Sequence, residues 1–170
     1  MNQRDRVRGA GLLCCHCVRN SAYYRAGWRD GHFVSQLDFW RNANGNFIDI
    51  AVLEWCKLFA DRNGKHHWRK VVPDPDGFLP GLFGSIGVSE EAFNSLCEET
   101  RTYRDKFIAH LDEGRLMHIP RLNVIIDSSI FLYGLIRTEY QQFLGDAPPD
   151  LRQFYEERLA EATGVYPNAT

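Results

Sequence analysis

The chain has 170 residues, 44% of them hydrophobic and 25% charged. That is ordinary globular composition and excludes disordered, fibrous and collagen-like chains. Its 20 Lys and Arg against 22 Asp and Glu leave a net charge of -2, so there is no global field to hold a polyanion, and any nucleic-acid contact has to be local. The length fits one domain over 1–170, with a core large enough to need neither disulfide nor metal. No apolar run is long enough to span a bilayer. The basic stretch Met1 to Arg8 is followed by too few apolar residues, Ala10 to Leu13, for a secretory leader. Five cysteines, an odd number, with Cys14, Cys15 and Cys17 crowded together, argue against a disulfide framework and for a reduced, cytoplasmic protein.

Helical periods separated by Gly and Pro run through the chain, and strand-like alternation is nearly absent. The expected fold class is therefore all-α, an up-and-down bundle of five to six helices. Residues 1–16 are expected to be poorly ordered. A first helix is predicted over Cys17 to Arg29, ended by Gly31. A second covers about His32 to Ala43 and stops at Asn44-Gly45, a turn signal. The third, about Asn46 to Asp61, carries Ile48, Ile50, Val52, Leu53, Trp55, Leu58 and Phe59 around nearly its whole circumference, which predicts a central helix buried on several sides.

Residues 62–88 hold Pro73, Pro75 and Pro80 and glycines at 64, 77, 81, 84 and 87, a pattern that predicts a structured insert packed on the bundle through its apolar residues. Ser89 reads as the N-cap of a fourth helix reaching about Leu111, with Glu90 and Glu91 at the positive end of its dipole. A fifth follows Pro120 and closes at Gly145, and a sixth runs from Leu151 to about Thr163.

On a wheel at about 100° per residue, the fourth helix shows one apolar side containing Phe93, Leu96, Cys97, Thr100, Tyr103, Phe107, Ile108 and Leu111. Arg104 falls inside that stripe, at about 20° from Phe93, and His110 on its edge, at about 260°. A guanidinium stays charged at physiological pH, and burying it without partners costs several kcal/mol. Either a carboxylate such as Asp38 or Asp49 pairs with Arg104 across the bundle, or the stripe meets a cleft or second subunit where Arg104 binds phosphate or carboxylate.

The string Arg101-Thr102-Tyr103-Arg104-Asp105-Lys106-Phe107-Ile108-Ala109-His110-Leu111-Asp112 resembles the motif of the HEPN superfamily, in which Arg and a polar residue precede a His near a helix end. Its form Tyr-Arg-Asp-Lys-x-x-Ala-His-x-Asp looks most like the abortive-infection and toxin-associated branch. The resemblance implies a metal-independent endoribonuclease or RNA-binding domain. It would act as a homodimer in which two Arg and His pairs line one cleft, as a toxin or phage-defence effector with a neutralising partner protein. It assigns Arg104, His110 and Asp105 to catalysis, with Asp105 where the family often has Asn, and Lys106, Arg101 and Tyr103 to substrate binding. The residue types suit the chemistry: RNA supplies its own 2'-OH nucleophile, an imidazole moves protons near neutral pH, and a guanidinium stabilises charge growing on phosphate. Since the two side chains stand about 120° apart on the wheel, a composite site across a dimer is expected. The alternative is a non-catalytic interaction or dimerisation module in which Arg104 is a structural buried charge.

The other constellations read plainly. Cys14, Cys15, His16 and Cys17 are consecutive ligands that cannot easily wrap one tetrahedral ion, and no second pair stands at the usual spacing. No metal is expected, and these residues read as a reactive, loosely held N-terminus. Lys65-His66-His67-Trp68-Arg69-Lys70 is either a solvated loop anchored by Trp68 or a set of phosphate and stacking contacts. Asp127, Ser128 and Ser129 read as the polar side of the fifth helix. No Gly-rich phosphate loop and no nucleophile elbow is present, so no cofactor is expected.

Overall fold

A computed structural model describes residues 1–108 and 119–166. His110, Ala109, Leu111 and Asp112 of the motif lie outside the described residues. The fold is an all-α bundle with six α-helices among the described residues, α1 (Gln3–Ala26), α2 (Asp38–Trp55), α3 (Pro75–Ile86), α4 (Glu90–Tyr103), α5 (Leu122–Leu144) and α6 (Leu151–Val165). Two of them change pitch at the C-terminus: α2 continues as a π-helical turn over Cys56–Ala60 and α4 as another over Arg104–Ile108.

The N-terminal segment overturns its expectation. It is helical from Gln3, with the Asn2 side chain accepting the Asp5 amide at 2.8 Å. Val7, Ala10, Gly11, Cys14, Cys17, Val18 and Ala22 form a buried stripe at helical spacing. Packed against α2, α5 and α6, α1 takes the central place expected of residues 46–61, where Ile50 is exposed instead. Small side chains let three helices approach it, and they are also why its sequence reads as weakly apolar.

Asn44-Gly45 lies inside α2. Asn44 stays helical because its amide is used outside the helix: it donates to the Tyr24 carbonyl at 2.8 Å and the Tyr166 hydroxyl at 2.9 Å, and accepts the Trp28 indole N–H at 3.1 Å. The predicted extension of the first helix to Arg29 gives way to a two-stranded hairpin, β1 (Trp28–Arg29) and β2 (His32–Phe33). Asp30 and Gly31 turn it with φ of 50° and 78°, the backbone that short hairpin loops favour.

Residues 62–88 do pack on the bundle. They hold a 3-10 turn at Trp68–Lys70 and all of α3, capped by Asp74 and closed by Gly87 at φ 65°. Trp68 stacks on Phe78 at 4.5 Å between ring centroids. Ser128 and Ser129 are core residues and not a polar face: Ser128 Oγ accepts the Trp55 indole N–H at 2.9 Å, and both hydroxyls donate to carbonyls of their own helix. Ser89 caps α4 by accepting the Ala92 amide at 3.2 Å.

Candidate functional site at the end of α4

Phe93, Leu96, Thr100 and Tyr103 bury one side of α4, as the wheel requires. The α-helical phase ends at Tyr103, because bonding from i to i+5 turns the chain by less per residue. The angle of about 120° between Arg104 and His110 belongs to an unbroken α-helix, and His110 lies outside the described residues. π turns of this kind recur at functional sites.

Arg104 opens the turn with its side chain 20% exposed. Neither Asp38 nor Asp49 faces it. Its Nη1 donates to Asp61, just past the π turn of α2, at 2.6 Å, and its Nε donates to Asp105 at 2.8 Å. Burial disfavours the charge, but the hydrogen bonds to Asp105 and Asp61 outweigh it and raise the guanidinium pKa further. Nη2 has no partner among the described residues and stays within reach of solvent.

One turn earlier, Arg101 donates from Nη2 to the Ala60 carbonyl at 2.7 Å and from Nη1 to Glu98 at 3.1 Å. Arg101 and Arg104 therefore both meet the C-terminal end of α2, where cations complement the helix dipole and occupy unpaired carbonyls. Asp105 and Lys106 are exposed. Tyr103 corrects its assignment to substrate binding: it is 2% exposed, and its hydroxyl donates to the half-buried Asp49 at 2.8 Å. Burial and this bond push its pKa up, and burial likewise raises that of Asp49.

A cleft of about 440 Å³ lies beside Arg101, with Arg62, His67, Trp68, Arg69 and Glu98 among its lining residues. The basic cluster thus shares a wall with α4, and Arg62 adjoins the Asp61 that holds Arg104. Not all of the cluster faces outward. Lys70 Nζ donates to the Asn63 and Gly64 carbonyls at 2.9 Å each, closing its own loop. His67 is buried and neutral, its pKa lowered to about 4 by burial. Arg69 lies over the Trp68 ring at 5.1 Å, and of the arginines lining the cleft Arg62 and Arg69 have no carboxylate partner among the described residues, whereas Arg101 pairs with Glu98.

No family model, curated protein or solved structure matches the chain. Its own residues therefore carry every functional statement.

The cysteines do not form a reactive N-terminus. Cys14, Cys15 and Cys17 are buried on α1, and burial raises the Cys15 thiol to about 11 and the Cys17 thiol to about 12. These thiols stay protonated. Among the described residues no group of three or more His, Cys, Asp or Glu gathers to hold a metal ion, and no helix is long and apolar enough to cross a membrane. Asp61, which sequence reasoning missed, has one retrospective signal, a carboxylate immediately after the long apolar run of α2.

Proposed function

We propose that the chain is a HEPN-like domain that binds RNA and cleaves it without metal, acting as a homodimer with Arg104, Asp105 and His110 at the shared cleft. The observation that supports this is the free Nη2 edge of Arg104, open to solvent at the first residue of a π turn and one residue from an exposed, charged pair, Asp105 and Lys106. A phosphate approaching that edge meets an oriented donor whose remaining nitrogens are fixed by Asp61 and Asp105. Held this way, the guanidinium loses little freedom on binding, and its donors stabilise charge that builds on the phosphorus oxygens. His110 takes the 2'-OH proton as general base, and its counterpart across the twofold returns one to the leaving 5'-oxygen. Lys106 and Arg101 add positive charge along the strand. Such an enzyme acts in the cytoplasm as a toxin or defence effector held in check by a partner protein.

The test is cleavage of single-stranded RNA by the purified protein in chelator. Wild type is expected to cut, and His110→Ala and Arg104→Lys are expected to lose about 10²–10⁴-fold in rate, His110→Ala while melting like wild type. Loss of cleavage in chelator, or undiminished cleavage by His110→Ala, overturns the mechanism. Growth arrest on expression of wild type, absent with His110→Ala, tests the effector role.

A second reading is favoured by the Arg104–Asp61 ion pair itself. In it Arg101 and Arg104 only fasten α4 to the end of α2, and the domain is a non-catalytic interaction module. It predicts that Arg104→Ala lowers the melting temperature while RNA is neither bound nor cut.

A further inference from the structure

A second concentration of unpaired cations lies on α1, on a surface that shares no lining residue with the cleft beside Arg101. Arg4, Arg8 and Arg19 line a groove of about 470 Å³ between α1 and the junction of α5 with α6. At about 100° and 1.5 Å per residue they fall within about 60° of one another on the helix, about 6 Å and then about 16 Å apart along its axis. Among the described residues none of the three has a carboxylate partner, although surface arginines elsewhere in this chain, Arg152 and Arg158, do. The opposite wall supplies Phe143 and Phe154, both half-buried, and Tyr140 stacks against Phe143 with ring planes 8° apart. Asp146 is the acidic residue on the rim.

We propose that this groove binds a single-stranded nucleic acid, its backbone phosphates on Arg4, Arg8 and Arg19 and its bases against Phe143 and Phe154. A row of three guanidinium groups spanning about 22 Å is longer than one small anion can occupy, which selects an extended polyanion. Cations interleaved with aromatic faces are what a strand with unpaired bases recognises, phosphate by charge and base by stacking. The arginine fork suits phosphate geometry better than lysine does. A lipid surface would meet an open convex face, whereas these side chains line a concave one. That the polymer is RNA rests on the reading proposed above; the groove's preference for a single strand does not.

The experiment measures binding of a single-stranded RNA oligonucleotide across a salt series to wild type, to Arg4→Gln/Arg8→Gln/Arg19→Gln, and to His110→Ala. Each phosphate neutralised on a single strand contributes about 0.7 to the slope of log affinity against log salt. The triple variant is expected to lose about 2 from that slope. Because Arg4 and Arg8 are exposed, the triple variant should melt close to wild type, which circular dichroism checks. A wild-type slope in the triple variant overturns the groove. If that result comes with RNA cleavage that His110→Ala abolishes, the groove alone has failed. Binding that weakens as expected, with no cleavage by any protein, supports the groove and refutes the nuclease. Poly-glutamate or anionic vesicles binding as tightly, with the same dependence on the three arginines, overturns the assignment to nucleic acid.

Discussion

His67 makes acid stability a direct probe of how the 62–70 segment is held. The imidazole is 2% exposed. Its Nδ1 accepts the Arg69 amide at 3.4 Å, which leaves the ring proton on Nε2, 3.2 Å from the Phe59 carbonyl. A second proton would face an N–H already pointing at Nδ1. Burial, with the charges of Arg69, Lys70 and Arg62 behind it, outweighs the Phe59 bond and lowers the folded-state pKa to about 4, whereas the unfolded chain titrates near 6.5. Between those values the unfolded state binds the extra proton, so stability is full above about pH 6.5 and drains away as pH falls toward 4. At about 1.4 kcal/mol per unit, the loss comes to about 3.5 kcal/mol in all and about 2 kcal/mol between pH 7.5 and pH 5. Against a typical total of about 5–15 kcal/mol, that is large. Urea unfolding of wild type and His67→Gln at pH 7.5, 6 and 5 isolates it, because the carboxylates common to both proteins cancel in the difference. Parallel curves for the two proteins across this range would refute a buried neutral imidazole.

The Arg104–Asp61 pair, 2.6 Å long with Asp61 34% exposed, lies between a surface and a buried ion pair. A double-mutant cycle with Arg104→Met and Asp61→Asn should give a coupling of about 1–2 kcal/mol, read by urea unfolding. Ser128→Ala removes the acceptor of the Trp55 indole N–H, and the orphaned donor should cost about 1–3 kcal/mol, again by urea unfolding. Gly9→Ala places a methyl group on the His66 ring, breaking its 3.4 Å contact with the Arg6 carbonyl. The melting temperature should fall by several degrees, and His66→Ala should restore part of the loss by opening the space.

The helices most legible in the sequence were those whose signals were local. Ser89 as a cap, Gly145 as a stop and the apolar period of α4 and α5 act within a few residues of themselves, so the spacing alone places the elements. Residues 3–16 failed that reading because Ala10, Gly11 and Cys14 bury by being small, not by being strongly apolar. Their contribution is the close approach of neighbouring helices, a tertiary property. Asn44-Gly45 and Ser128-Ser129 failed for a related reason: polar groups that look like turn or surface residues are satisfied by partners far along the chain. At the candidate site the wheel placed Arg104 next to the core correctly, yet its partner Asp61 is distant in sequence and no periodicity could find it. The π turn was invisible too, because one extra residue per turn leaves composition unchanged.

The Asn44 amide touches the end of α1, the hairpin and the last residue described after α6. Three stretches of chain distant in sequence thus converge on one side chain. Their amide protons should exchange with solvent as a single cooperative block. Anything that tugs at the hairpin, whether protease or binding protein, would also unfasten Tyr166 from the end of α1.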